Sequence, residues 1–365
     1  MRLWDRIEQF FKHNQLRFLD KLLGVRERAP KDVDRNSIKK ILIVRQHDQL
    51  GDFLLSTPVF KALRQQFPHA YIAVVARKYT AALMRHDQYL DDVLIFYENG
   101  RDWNLKRIAE FIKLLRQRYD LAVVLNTVSH SLTSDLIARF SGARTILGTD
   151  HLKFKGTERN FFYHVAAPHA GTVRNQSQRN LDIVEYIGVS PVEPFEHMTL
   201  TPEETGWARQ MLMAEGWDGE QRIIAIHPGA GKLGNRWPVE YFARAARELA
   251  AHFQARLLVT WGKDEADLGK TLVDLLPGNI LAIVQKDIRK FAAMISPSFL
   301  FLCNDTGVMH VAAAIGVPLV VVFGPTNPDE WKPFGKKFVA LKSSDGNCSS
   351  VEPEEIINAA KSLFV

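Results

Sequence analysis

Cysteine is scarce. Two residues in 365, Cys303 inside an apolar run and Cys348 in a loop-like stretch, provide no disulfide framework and no ligand spacing for structural zinc, so a reducing cytoplasm is the expected compartment. Long apolar runs are also missing. None approaches the ~20 residues that cross a bilayer, and the first residues lack both the continuous apolar core and the small-residue cleavage site of a signal peptide. Charge of one sign is confined to one end. Residues 1–40 hold 11 Lys/Arg against 6 Asp/Glu, which is +5 of the total +6. The other residues are close to balance, which argues against a general nucleic-acid-binding surface. No Gly-X-Gly-X-X-Gly follows the first strand, so a dinucleotide fingerprint is absent. No Asp-X-Asp pair ends a strand of the first half.

The remaining pattern is an alternation of short β-rich runs and amphipathic helical stretches, in a chain long enough for two domains. In the first half, strands are expected at 41–45, 71–76, 92–96, 121–125 and 144–148, with helices near 53–67, 78–88, 103–118, 131–141 and 174–187. Residues 149–172 read as irregular, and a Pro-rich segment from Pro191 to Pro202 reads as a linker. The second half opens with a helix near 202–215. Strands are then expected at 222–227, 256–261, 280–283, 299–303 and 318–323, with helices at 238–252, 265–275, 287–295 and 307–315, and a last helix at 352–363. The expected divisions are 1–37 (amphipathic, basic), 38–188 (Rossmann-like), 189–220 (linker region), 221–345 (Rossmann-like) and 346–365 (C-terminal helix). Two parallel βα domains imply a cleft between the carboxyl ends of their sheets. In residues 1–25, Leu3, Trp4, Ile7, Phe10, Phe11, Phe18 and Leu22 share one helical face edged by Arg6, Arg17 and Lys21. That face suits either packing on the protein itself or an anionic membrane surface.

Three strand ends carry chemistry. The apolar run 299–303 stops at Asn304-Asp305-Thr306-Gly307, and a small-residue helix begins at once. Unpaired amides and the dipole at such a helix start favour a phosphate. After strand 222–227 comes His227-Pro228-Gly229-Ala230-Gly231-Lys232-Leu233-Gly234-Asn235-Arg236-Trp237-Pro238, where glycine amides and two cations suit a diphosphate. Glu265, just past the strand ending at Trp261, either serves the helix start or accepts hydrogen bonds from ribose hydroxyls. After the first strand, Leu50-Gly51-Asp52 places a carboxylate where it is either a helix cap or a general base. Arg77 and Lys78 directly follow the second strand. They are either solvated or face an anionic acceptor.

Together, Leu50-Gly51-Asp52, the 227–238 loop, Asn304 to Ala314 and the closing Phe323-Gly324-Pro325-Thr326, with Trp331 and Pro333-Phe334-Gly335, resemble the heptosyltransferase family, glycosyltransferase family nine. The resemblance spans residues 38–335. It implies a GT-B fold and an inverting enzyme that moves heptose from ADP-heptose to the lipopolysaccharide core. No cofactor is expected: helix amides at 306–307 with Lys232 or Arg236, and the missing Asp-X-Asp pair, point to a reaction without metal, and the charge balance to no nucleic acid partner. The expected location is the cytoplasm, with the inner face of the membrane as the alternative that residues 1–25 allow. By the same resemblance Asp52 matches the general base. Asp305, Thr306, Gly307, Val308 and His310 match the donor-binding turn, Ala230 and Gly231 the diphosphate contacts, and Glu265 the ribose ligand. The family's basic residue two positions before Trp-Pro is Asn235 here, so Lys232 or Arg236 is expected to supply that charge. The segment Arg45-Gln46-His47-Asp48 is one residue longer than the commonest version. Rival readings are a transferase or epimerase using another nucleotide sugar, and a non-catalytic nucleotide-binding protein at a membrane surface.

Overall fold

The computed structural model describes all residues except 1–15, 17, 47, 48, 152, 155, 156, 279, 285, 286, 336 and 365. In chain order the elements begin with β1 (Lys40–Val44), α1 (Leu50–Leu54), α2 (Thr57–Gln66), β2 (Tyr71–Arg77), α3 (Lys78–Ala81), β3 (Asp92–Phe96) and α4 (Leu105–Leu115). They continue with β4 (Leu121–Val124), α5 (Leu132–Phe140), β5 (Thr145–Thr149), β6 (Val165–Ala167) and α6 (Gln176–Glu185). The second half comprises α7 (Pro202–Ala214), β7 (Ile223–His227), α8 (Val239–Phe253), β8 (Arg256–Trp261), α9 (Ala266–Leu275), β9 (Leu281–Val284) and α10 (Ile288–Ile295). Then follow β10 (Leu300–Asn304), α11 (Gly307–Ala314), β11 (Leu319–Phe323), α12 (Pro328–Trp331), β12 (Phe338–Lys342) and α13 (Pro353–Ser362).

The strands form two six-stranded parallel sheets, ordered β3-β2-β1-β4-β5-β6 and β12-β11-β10-β7-β8-β9. Counted within its own half, each sheet has the doubly wound order 3-2-1-4-5-6. Its connections reverse direction between the first and fourth strands, the place where such sheets bind ligands. Central strands are apolar on both faces because helices cover both, as parallel sheets require.

The chain divides into two compact units. One comprises Met1–Asp48, Pro58–Ala81 and Gln88–Glu193; the other comprises Gln49–Thr57, Ala82–Asp87 and Pro194–Val365. The helix bearing Asp52 therefore belongs to the C-terminal unit, although it follows the first strand of the N-terminal sheet.

Both sheets have one strand more than the sequence suggests. β6 is three residues long and lies within the stretch read as irregular, while β12 is a half-exposed edge strand. Edge strands this short or this wet carry almost no apolar periodicity. The helix expected over 53–67 is two helices. Ser56 Oγ donates to the Phe53 carbonyl (2.6 Å) and Thr57 Oγ1 to the Leu54 carbonyl (2.8 Å), hydroxyl bonds that compete with helix continuation. The helix expected over 78–88 stops at Ala81 and tightens into a 3₁₀ turn, Ala82–Met84. The Leu83 carbonyl accepts instead from Arg289 Nη1 (2.9 Å). In the described part of the N-terminal helix, Leu16, Leu19 and Leu23 pack on the core of the N-terminal unit, and Phe18 and Leu22 are exposed. The rest of that amphipathic stretch lies outside the described residues. No described helix is long and apolar enough to cross a membrane.

In the N-terminal unit, the backbone of β5 passes directly under an aromatic ring. A Cβ at Gly148 would sit 2.3 Å from the ring of Tyr163, which is itself buried and donates to Asp135 Oδ1 at 2.6 Å. Gly148→Ala is expected to lower stability by about 1–3 kcal/mol, read as a shift in the urea midpoint at unchanged m-value. An unchanged midpoint would contradict this packing.

Candidate functional site

In the C-terminal sheet the reversal lies between β7 and β10, where Cys303 is in register with His227. The next residue of β10, Asn304, is fully buried at the strand end. Its Nδ2 donates to the Pro228 carbonyl (2.8 Å) and the Gly229 carbonyl (3.3 Å), and its Oδ1 accepts from the Trp237 amide (3.0 Å). One side-chain amide thus fixes both ends of the 228–237 loop. Trp237 closes the far end, buried edge-on against Phe242 and donating from Nε1 to the Val351 carbonyl (2.8 Å). The sequence places Asn304 at the strand end without marking this role. A lone Asn ending an apolar strand beside a glycine-rich loop was the available signal.

Within that loop Ala230 is buried, Gly231 and Lys232 are exposed, and Arg236 donates from Nε to the Ala230 carbonyl (2.9 Å). Glu265 lies over the start of the loop. Its Oε2 accepts from the Gly262 amide (2.9 Å) and lies 3.3 Å from His227 Nε2, and its Oε1 is 4.0 Å from Arg236 Nη2. A Cβ at Gly229 would fall 2.2 Å from the Glu265 carboxylate, so a larger residue there would displace that carboxylate. The hydrogen bond from His227 pulls the carboxyl pKa down most strongly and burial opposes it. Attraction to His227, the Gly262 amide and Arg236 add to the pull, giving a value of about 2.

Asn235 stands two positions before Trp237-Pro238, the departure noted in the sequence. It is buried, and its Nδ2 donates to Asp305 Oδ2 (2.9 Å), holding that carboxylate against the loop. Thr306 starts α11 in an extended conformation (φ −154°, ψ 161°) with no side-chain bond to the helix. Gly307 and Val308, both half-buried, form its first turn.

Helix α1 packs directly on α11. A Cβ at Gly51 would come within 2.6 Å of His310 Cδ2, and one at Gly307 within 3.1 Å of Leu50. His310 is buried, its Nδ1 2.9 Å from Glu196 Oε1. Burial disfavours a charged imidazole here. The Glu196 carboxylate, with Asp305 and Asp52, outweighs burial and raises the His310 pKa above its ordinary value. Asp52 is half-buried, and its Oδ2 accepts from the Gln49 amide at 3.3 Å, so it serves the helix start as well as lying within electrostatic reach of His310. The structure brings Asp52 and Asp305 within electrostatic reach of His310, joins Asn235 to Asp305, and gathers Ala230, Arg236, Glu265 and His227 about the glycine-rich loop. Glu196 was not foreseen, since nothing in its Pro-rich surroundings marks it as buried.

Arg77 and Lys78 belong to the N-terminal unit. Arg77 ends β2, donates from Nε to the Gln46 carbonyl (3.0 Å) and pairs with Glu98 Oε1 (3.0 Å); Lys78 is exposed. His47 and Asp48, the lengthened part of the first motif, lie outside the described residues.

A family model described as glycosyltransferase family 9 (heptosyltransferase) matches residues 108–359. Lipopolysaccharide heptosyltransferase 3 of Escherichia coli is 26% identical over 305 residues, covering 81% of this chain and 86% of that protein. Lipooligosaccharide heptosyltransferase 2 of Haemophilus influenzae is 24% identical over 320 residues, covering 83% and 88%. Among solved structures, a glycosyl transferase family 9 protein of Veillonella parvula superposes with a TM-score of 0.77 at 21% identity, covering 89% of this chain and 97% of that one. The E. coli ADP-heptose lipopolysaccharide heptosyltransferase II gives 0.69 at 19% identity, covering 89% and 98%. These structural likenesses are of fold, and the fold is GT-B.

The lowered Glu265 pKa has a consequence for stability. Its contribution is fully present above the ordinary carboxylate value of 4.5 and is lost as pH falls from there toward about 2. Glu265→Gln is therefore expected to flatten the acid limb of the stability profile over that window. At neutral pH it should cost about 1–3 kcal/mol, discounted for the solvent screening a half-buried carboxylate. Urea midpoints measured across pH check this, and parallel acid limbs would contradict it.

Proposed function

We propose, given that this chain belongs to glycosyltransferase family 9, the heptosyltransferase family, that it transfers a heptose from ADP-heptose to a sugar hydroxyl of the lipopolysaccharide core with inversion. The observation that carries the mechanism is the packing of α1 on α11. Gly51 against His310 and Leu50 against Gly307 hold Asp52 beside the turn 305–308 within one compact unit.

In this reading the 228–236 loop and the first turn of α11 hold the nucleotide diphosphate, and Glu265 accepts from the ribose hydroxyls. Asp52 takes the proton from the acceptor hydroxyl as its oxygen attacks the anomeric carbon. The bond from that carbon to the diphosphate oxygen breaks on the opposite face, leaving ADP and an inverted glycoside. Charge developing on the leaving group is met by the Gly307 and Val308 amides and by Lys232 or Arg236, preorganised donors of the kind that stabilise transition states without rearrangement. That set of donors supports turnover without a metal ion. Asn235 serves by fixing Asp305 rather than by supplying charge. Arg77 and Lys78 in the N-terminal unit are the proposed contacts for an anionic acceptor.

Removing a general base costs about 10²–10⁴-fold. Asp52→Asn is expected to lower kcat by that factor while leaving ADP affinity, measured by calorimetry, unchanged. Normal turnover by that variant would sink the assignment. Calorimetry with ADP- and UDP-sugars tests the donor, with ADP-heptose expected to bind most tightly; a preference for a UDP-sugar would move the reading to another nucleotide-sugar enzyme. Activity is expected to survive EDTA, and a large loss would overturn the metal-independent reading.

A further inference from the structure

Glu196 lies in the Pro-rich stretch between the two βα halves, yet its side chain is fully buried within the C-terminal unit. The chain that follows it is pinned at three points of the same unit. The His197 amide donates to Thr57 Oγ1 (3.1 Å), His197 Nε2 lies 2.8 Å from Asp87 Oδ2, and the Met198 amide donates to the Ala314 carbonyl (3.0 Å) at the far end of α11. Glu196 is therefore carried to α11 by a fixed strap, whatever its own side chain bonds to.

Only one of its oxygens is satisfied. Oε1 lies 2.9 Å from His310 Nδ1, whereas Oε2 is buried and meets no hydrogen-bond donor among the described residues. An ionised carboxylate only accepts, so Nδ1 carries the proton of this bond. Burying such a carboxylate with a single hydrogen bond is costly unless a positive charge lies beside it. Among the described elements packed on α11, none brings a second cation to it. Helix α1 brings Asp52, the turn before α11 brings Asp305, and β10 brings the thiol of Cys303, which burial keeps protonated. Strand β11 is wholly apolar, and the two cations of α10 are engaged elsewhere, Arg289 with Glu204 and Lys290 over the ring of Trp207. The charge has to come from His310. The far edge of its ring lies against Gly51, where a Cβ would fall 2.6 Å from Cδ2 and 3.0 Å from Nε2, so the imidazole reaches from Glu196 to the helix that bears Asp52.

We propose that Glu196 is a positioning residue, which holds His310 as an imidazolium with its far edge toward α1 and so keeps a fixed positive charge beside Asp52 and Asp305. Glu196 touches no reacting atom and acts through His310. While the imidazolium persists, the carboxylates of α1 and of the proposed donor turn can stay ionised together; without Glu196, burial wins and the ring gives up its proton at lower pH. The effect on turnover rests on the function proposed above. The charge state of His310 does not.

Two readouts test this. The first is the titration of the His310 imidazole in the ligand-free, full-length protein, followed by NMR and identified by the signal missing from His310→Gln. The wild type is expected to lose its proton above the ordinary histidine value of 6.5. Glu196→Gln, which keeps the shape and removes the charge, should lose it at least about one pH unit lower. An unshifted midpoint overturns the proposal whatever the protein catalyses. The second is kcat/KM for sugar transfer across pH. In Glu196→Gln its alkaline limb should move down together with the NMR midpoint, while turnover below both midpoints stays within about threefold of the wild type. A limb that stays in place while the midpoint moves overturns the role in the reaction. Glu196→Asp, whose carboxylate is one methylene shorter, should fall between the other two in both readouts, and it carries the same test if thermal melting shows Glu196→Gln unfolded; an Asp variant that titrates like the Gln variant would contradict a charge effect. A protein that transfers no sugar from any donor sinks the function proposed above and leaves the NMR titration to decide this one.

Discussion

The site depends on how closely α1 lies against α11. That approach is possible because each helix offers a glycine to a side chain of the other, Gly51 to His310 and Gly307 to Leu50. A Cβ 2.6 Å from an imidazole carbon is closer than real contacts come, so any larger residue at 51 forces the helices apart. The consequence is electrostatic. Three carboxylates, Asp52, Asp305 and Glu196, bear on one buried histidine. Like charges gathered in low dielectric would be costly without a counter-charge, and a His310 biased toward protonation supplies it.

That balance bears on how the proposed donor turn can hold Asp305. A carboxylate at a helix start competes with an anionic ligand for the same amides. Here Asn235 Nδ2 engages Asp305 Oδ2 from the loop side, so the carboxylate is held by the protein and the amides of residues 307 and 308 can serve a ligand. Asn235 contacts the turn without bringing charge to it, leaving Lys232 and Arg236 as the cations of the loop.

Much of this was legible in the sequence, and the failures have physical causes. Central strands were found because parallel strands buried on both faces are continuous apolar runs, as in Leu300 to Cys303 and Leu319 to Phe323. The edge strands β6 and β12 escaped because an edge needs little apolar surface. The break at Ser56-Thr57 escaped because hydroxyl bonds to the preceding turn leave no trace in periodicity. Within the site, residue types that carry charge or backbone freedom announced themselves. Asn304 did not, since its work is to join the two ends of a loop that are nine residues apart. Glu196 did not, because burial of a lone carboxylate depends on a partner 114 positions away.

The strand order, which the sequence could not supply, has the largest consequence for mechanism. Both sheets reverse between their first and fourth strands, so each offers a ligand crevice of its own, and a two-substrate enzyme can dedicate one to each substrate. The chain does not divide its residues so evenly. Segment 49–57 leaves the N-terminal sheet after β1 and belongs to the C-terminal unit, as does 82–87. That second segment is held by Arg289, whose Nη1 donates to the Leu83 carbonyl while Nε and Nη2 form a bidentate pair with Glu204 at 2.6 Å. The proposed base and the proposed donor turn are thus parts of one packed body. Their separation is set by glycine contacts a few ångströms away, within the fold of that one unit. Under the proposed function, such fixed placement is the preorganisation that converts a bimolecular step into an effectively unimolecular one.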